Sequence, residues 1–291
     1  MLLNAAAVGA GKPRSAADIA ELFLAAGSRA RITMLQRGQD FADAARAVAA
    51  RASIVVAGGG DGTVSGVAEG LIGTPAVLGV LPLGTLNHFA KDLHIPLDLE
   101  KAVGTIAAGR VRCIDVASVN GRTFLNNSSI GIYPDIVEAR EELRRQGHRK
   151  WTALVLATFR VLRHFRGVLV RIDADGVQSV RRTPFVFVGN NEYAIEGNGL
   201  GGRTRLDGGR LVAYLTPRLR ARDLPMLFVR ALAGRAKQSG EFEIVSALEV
   251  WVDTPRSRHV RVSLDGEVTT MATPLHYRTC PGALKVLQPE A

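Results

Sequence analysis

Residues 55–64 read VVAGGGDGTV, an apolar run that passes into three glycines, an acid, a fourth glycine and a hydroxyl. Nothing else in the chain restricts the fold as strongly. Glycines at a strand-to-helix junction let bare backbone N–H groups approach a phosphate, and the helix that follows presents its positive end there. A tight turn alone needs fewer glycines. The run therefore predicts a phosphate cradle made of Gly58, Gly59, Gly60, Asp61, Gly62 and Thr63, with a helix over 63–70. The acid at Asp61 argues against a dinucleotide fingerprint, because it would face the pyrophosphate unless a divalent cation stood between them. Gly9-Ala10-Gly11-Lys12 is no Walker loop, since Ala6 and Pro13 occupy positions that need glycine and Ser or Thr. It reads as a loop after a buried first strand.

A second segment, residues 81–90 (LPLGTLNHFA), again follows an apolar run and opens a helical pattern. In an open α/β sheet the loops at the strand ends converge, so Gly84, Thr85 and Asn87 are expected beside the first glycine loop, with Thr85 and Asn87 as donors. Around these loops the pattern alternates. Residues 17–26 and 41–52 have helical periodicity, whereas 53–57 (SIVVA) and 76–81 (AVLGVL) read as buried strands. This predicts an N-terminal, open, mostly parallel α/β nucleotide-binding domain over residues 1–115.

Beyond about residue 111 short apolar runs (168–172, 184–188, 211–215, 248–252, 260–264) are separated by Asn120-Gly121, Asp175-Gly176, Asp207-Gly208 and Asp265-Gly266, all hairpin-type dipeptides. A β-rich antiparallel domain, sandwich or barrel, is expected over 116–277, interrupted by helical stretches at 134–166 and 222–232. The polar, glycine-rich segment 190–202 reads as a long loop.

The 37 Lys and Arg against 27 Asp and Glu give a net charge of +10, which attracts nucleotides, nucleic acid or acidic headgroups alike. Cys113 and Cys280 fit no metal or disulfide spacing, so a reduced cytoplasmic protein is expected. No nucleic-acid motif or aromatic-basic platform supports a specific nucleic-acid partner. The longest apolar helix pattern, 151–170, is broken by Arg160, Arg163, His164 and Arg166, and no transmembrane segment is expected.

Taken together, Asn4, GGGDGT at 58–63, PLGTLN at 82–87, the Asn-to-Gly stretch 127–131, LDGG at 206–209 and LDGE at 264–267 resemble the diacylglycerol kinase catalytic family, which includes sphingosine, ceramide and bacterial soluble lipid kinases. The GGDGT element is shared with NAD kinases and 6-phosphofructokinases; the PLGTxN segment and the late DGE are narrower. The resemblance implies ATP-dependent phosphoryl transfer to a lipid hydroxyl, most simply that of diacylglycerol or a related long-chain alcohol. Residues 278–291 would return to complete the first domain, and ATP would lie at residues 60–66 and Thr85, near Thr33 or Met34, in a cleft between the domains. Asp207 would hold Mg2+ with the backbone carbonyls of Thr204 and Gly209, and Glu267 would accept the proton. The residue types alone leave open whether Asp61 or Glu267 is the base.

Ser65-Gly66 and His88 depart from the Asn-Glu and Asp that many relatives carry, which leaves a catalytically silent nucleotide- or lipid-binding regulator as one alternative and an NAD-kinase-like small-molecule kinase as another. The basic run 140–150 and the apolar stretch after it read equally as a flap facing a membrane that presents the lipid, giving peripheral attachment, or as a solvated helix with paired charges.

Overall fold

The structure is a computed structural model and describes residues 1–8, 15–36, 38–164, 167–195, 200–215 and 243–290. The predicted loop at 9–12, the helix at 222–232 and part of the loop at 190–202 lie outside them. The chain divides into two compact units, Met1–Val116 with Pro281–Ala291, and Ala117–Cys280.

In the first unit, β1 (Leu2–Asn4), β2 (Thr33–Leu35), β3 (Ile54–Gly59) and β4 (Val77–Pro82) form a parallel sheet in the order β2-β1-β3-β4, and the end of β18 (Leu275–Gln288) pairs with β4 through Val286 and Leu78. Helices α1 (Ala5–Val8), α2 (Ala16–Ala25), α3 (Phe41–Ala49), α4 (Asp61–Leu71), α5 (His88–Asp92) and α6 (Leu99–Ala108) accompany it. Local chemistry sets their starts. Ser15 and Asp18 close a capping box on α2, and the Asp40 carboxylate accepts from Ala42 and Asp43 at the head of α3. The chain moves from β1 outward to β2 and then to β3 on the other side, so the sheet has a switch point between β1 and β3, where open α/β sheets bind ligands.

The second unit is antiparallel. A six-stranded sheet runs β14 (Glu243–Ala247), β13 (Leu211–Leu215), β10 (Phe185–Asn190), β7 (Asn127–Gly131), β16 (His259–Leu264), β17 (Glu267–Ala272). Facing it, β9 (Val177–Thr183), β8 (Val168–Ala174), β15 (Glu249–Asp253) and the first half of β18 make a second layer, with β5 (Arg110–Val119) and β6 (Arg122–Phe124) as a hairpin. Ile130, Val170, Ile172, Val188, Ala213, Val250, Val262 and Tyr277 close the core between the layers, making a sandwich. Burial raises the Tyr277 phenol well above its ordinary range, and its hydroxyl meets Ser128 Oγ at 3.1 Å.

Three of the predicted hairpin dipeptides have positive φ at both residues: Asn120-Gly121 (47° and 81°), Asp175-Gly176 (49° and 87°) and Asp265-Gly266 (48° and 91°). Asp207-Gly208 does not close a hairpin. Of that group only Gly209 has positive φ, and the strand before it, β12 (Leu200–Arg203), pairs with β11 (Tyr193–Ile195) while β13 pairs with β10 and β14. The helical stretch read at 134–166 is two helices, α7 (Ile132–Arg145) and α8 (Lys150–His164), because Gly147 at φ 93° ends the first. Between β1 and the predicted loop lies the short helix α1, which the sequence pattern did not announce. Among the described residues no helix is long and apolar enough to cross a membrane.

Helices α3 and α4 approach closely enough that a Cβ on Gly70 would lie 2.1 Å from the Ala42 carbonyl oxygen and 2.8 Å from Ala45 Cβ. Gly70→Ala is expected to lower the stability of the chain by about 1–3 kcal/mol through overpacking, measured as a drop in the urea midpoint at unchanged m.

Candidate active site

The first two glycines of the cradle are part of the strand. Gly58 and Gly59 end β3, buried, and pair with Leu81 and Pro82 of β4. Their missing side chains make room for protein: a Cβ on Gly58 would meet Leu3 Cδ1 at 2.6 Å, and one on Gly59 would meet Thr63 Oγ1 at 2.5 Å. The absence of a Cβ at these two positions therefore has a packing reason within the protein itself.

Gly60 is the N-cap of α4 and carries no side-chain cap, so the first-turn N–H groups at Asp61, Gly62 and Thr63 precede the first helical bond, Val64 N–H to the Gly60 carbonyl at 3.0 Å. Gly60 also touches the second motif. A Cβ on Gly84 would lie 2.4 Å from Gly60 Cα and 2.7 Å from Asn87 Oδ1, so two backbones meet where no side chain fits. The Asn87 amide does not turn outward as predicted. Its Oδ1 accepts from Gly84 N–H at 2.9 Å and its Nδ2 donates to the Gly84 carbonyl at 3.0 Å, in a left-handed residue (φ 51°) that is 7% exposed. Thr85, between them, is exposed.

Asp61 fastens the two loops from the other side. One carboxylate oxygen accepts from Phe89 N–H at 3.1 Å in the first turn of α5, and the other makes no hydrogen bond among the described residues. At the end of β1, Asn4 Nδ2 donates to Thr63 Oγ1 at 2.9 Å while its Oδ1 accepts from Ala6 N–H at 3.0 Å. The strand ends on both sides of the switch point are thus tied to the head of α4. That arrangement can hold the phosphates of a nucleotide by backbone N–H groups and a helix dipole. Of the departures seen in the sequence, Gly66 has a packing reason, since a Cβ there would meet Phe41 Cβ at 2.9 Å.

In the second unit Glu267 opens β17, exposed, across from Leu264 in the ladder. Its position is set by the neighbouring acid. Asp265 Oδ2 accepts from Leu125 N–H at 2.8 Å, and Oδ1 from Asn126 and Asn127 N–H at 2.8 and 3.1 Å. Asp207 lies in the irregular connection before β13, where its Oδ1 pairs with Arg205 Nε at 3.1 Å; Thr204 beside it is exposed and Gly209 half-buried. Gly208 of the same connection packs on Asn191, whose Oδ1 would be 2.5 Å from a Cβ. Among the described residues no three His, Cys, Asp or Glu side chains converge on a metal position. One carboxylate with backbone carbonyls still fits magnesium, which keeps several waters and needs only one or two carboxylates.

A groove of about 670 Å³ between α7, α8 and β16 also draws the eye, lined by Asp135, Glu138, Glu142, Arg145, Arg160 and Arg261. Arg261 pairs with Asp135 (2.9 Å) and Glu138, and Arg160 with Glu142 (3.3 Å), so its charges are compensated. Burial pushes the Asp135 carboxyl above its ordinary range, against the pull of Arg261. The groove does not contain the predicted site residues.

Comparison with known proteins decides between the readings that the motifs left open. Residues 1–119 match the profile described as diacylglycerol kinase catalytic domain, and residues 131–288 match the YegS C-terminal NAD kinase beta sandwich-like domain. Proteins of Yersinia pestis and Yersinia pseudotuberculosis, both named "Probable lipid kinase YegS-like", are 30% identical over 225 residues, covering 74% of this chain and 72% of theirs. The chain belongs to the YegS-like lipid kinase family. The fold agrees: a diacylglycerol kinase structure from Bacillus anthracis superposes with a TM-score of 0.69 at 20% identity over 99% of this chain and 95% of that one, and a second structure from the same organism reaches 0.73 at 21%, over 99% and 96%. As a member of this family the chain is an ATP-dependent lipid kinase, with an α/β unit followed by an antiparallel β unit.

Sequence reasoning missed Asp265 as a structural residue, since it was read only as turn chemistry. Asp265→Asn turns an amide NH2 against backbone donors that now face a carboxylate oxygen. The loss expected is about 1.5–3 kcal/mol, the range for a hydrogen bond to a charged group, measured by urea unfolding.

Proposed function

We propose that the chain transfers the γ-phosphate of ATP to the hydroxyl of diacylglycerol or a related long-chain alcohol, with Mg2+ as the metal. The observation that carries the nucleotide half is the junction of two backbones at Gly60 and Gly84 beside the uncapped head of α4. Backbone N–H groups at Gly62 and Thr63 bind phosphate oxygens, and Asp61 keeps the second loop in place through Phe89. Asp207, with the carbonyls of Thr204 and Gly209, is the fitting holder for magnesium. The metal supplies charge neutralisation on the phosphates. Loading it requires Arg205 to leave Asp207, an exposed pair whose loss costs little.

Glu267 is assigned as the base. It takes the hydroxyl proton as the lipid oxygen bonds to the γ-phosphorus, the bond from that phosphorus to the bridging oxygen breaks, and ADP leaves with the electron pair. Labelled γ-phosphate should pass from ATP to diacylglycerol in mixed micelles, and not to sphingoid bases, ceramides or NAD. Glu267→Ala should cut kcat by about 10²–10⁴-fold with ATP binding kept. Transfer to NAD alone, or to no acceptor by a chain that binds ATP, overturns the assignment.

The α7–α8 hairpin supports a membrane as the place where the acceptor is met. Val155, Leu156 and Phe159 on α8 are 58%, 46% and 67% exposed, and residues 140–166 carry eight Lys or Arg against two Glu. Several of the arginines are partly spent on Glu141 and Glu142, at 3.0–3.4 Å, but Arg145 and Arg149 are exposed. An apolar stripe beside an excess of basic charge suits an anionic bilayer. Phe159→Glu is expected to weaken binding to vesicles containing anionic phospholipid by about ten-fold, or about 1.4 kcal/mol, in a sedimentation assay. Unchanged binding favours the solvated-hairpin reading.

A further inference from the structure

Arg203 is 6% exposed, at the end of β12, in a setting made almost wholly of backbone. Its Nη1 donates to the carbonyls of Leu125 (2.6 Å) and Asn190 (3.1 Å), and its Nη2 to Asn126 Oδ1 (2.8 Å). Burying a guanidinium is expensive unless its donors are satisfied, and a core position has no need of one. What it grips is informative. Leu125, Asn126 and Asn127 are the three residues whose N–H groups bind the Asp265 carboxylate.

The segment therefore lies between opposite charges, with the anion on its N–H side and the cation on its acceptor side. Asn190 joins the same knot: its Nδ2 donates to the Leu125 carbonyl at 2.8 Å and its N–H to the Asn126 carbonyl at 2.9 Å. The Asp265 N–H closes it on the Asn127 carbonyl at 2.9 Å. Two functional segments leave this knot. Glu267 follows Asp265 by two residues across the positive-φ turn. The Asp207 connection starts at Arg203 itself, packs Gly208 on Asn191, and is tied at its far end by Asn191 N–H to the Arg210 carbonyl at 3.0 Å.

We infer that Arg203 is a positioning residue that sets the metal-holding Asp207 connection and the Glu267 turn in register with each other, acting through Asn126, Asn190 and Asp265. The inference rests on the roles proposed above for Asp207 and Glu267. It makes Arg203 the cation that keeps two carboxylate-bearing segments on one rigid frame, rather than a ligand of substrate.

The test compares Arg203→Lys and Arg203→Ala with Tyr277→Phe, which removes a buried hydroxyl from the same sandwich outside the knot. In both Arg203 variants kcat should fall by about 30-fold or more with KM for ATP within about two-fold, a transition-state loss rather than a binding loss. Added guanidinium ion should restore part of the activity of Arg203→Ala, and Tyr277→Phe should keep kcat. Amide hydrogen exchange, read without any acceptor, should accelerate at both 207–209 and 265–267 in Arg203→Lys and at neither in Tyr277→Phe. If exchange changes as stated but the parent chain phosphorylates no lipid, the lipid-kinase reading fails and the frame stands. If exchange at the two segments stays unchanged or changes in only one of them, or if a folded Arg203→Lys keeps its kcat, the positioning role is overturned.

Discussion

Two glycine backbones in contact, Gly60 against Gly84, are the constraint from which the loop arrangement of the first unit follows. The ends of β3 and β4 are neighbours in a parallel sheet, so the loops leaving them compete for the same space. A Cβ on Gly84 would part them, lying 2.4 Å from Gly60 Cα, whereas one on Gly60 would make a tight 3.3 Å contact with Gly84 Cα. With both bare, Asp61 can reach Phe89 N–H and Asn87 can fold its amide onto Gly84, and the head of α4 is left uncapped at the switch point of the sheet. At Gly84 glycine is a requirement of close approach rather than of unusual φ, since Gly84 is not among the positive-φ glycines.

The β unit solves a different problem. Its sandwich core is ordinary, built from alternating inward residues of two antiparallel layers. The Asp207 connection and the turn before Glu267 are instead irregular backbone, which needs its polar groups satisfied. Asp265 does this for three successive N–H groups and Arg203 for the acceptors beside them. An acid at a hairpin turn and an arginine at a strand end thereby satisfy both sides of one irregular segment.

Much of this was legible in the sequence because glycine, apolar alternation and turn dipeptides report local backbone directly. The VVAGGGDGTV run marked a strand passing into a helix, and three of four hairpin dipeptides have the φ values that such turns require. Asp207-Gly208 was misread because a turn dipeptide carries no information about which strands pair on either side. That Gly58 and Gly59 lack side chains to make room for Leu3 and Thr63 was not legible, because those contacts depend on tertiary packing. Arg203 left no signal, since the carbonyls it meets lie 13 and 78 residues away in the chain. The acceptor lipid is not written in any local motif; family membership supplies the class.

The central claim is that the joined loops form one nucleotide-phosphate site. Titration of ATP with magnesium into the isotope-labelled chain, followed by amide NMR, tests it most directly, with Gly84→Ala as the comparison. The account predicts the largest shifts at Gly60, Gly62, Thr63 and Thr85 in the parent chain, and loss of ATP binding in a Gly84→Ala chain whose remaining spectrum is that of the folded protein. ATP binding of equal strength in Gly84→Ala, or shifts centred away from these four residues, contradicts it.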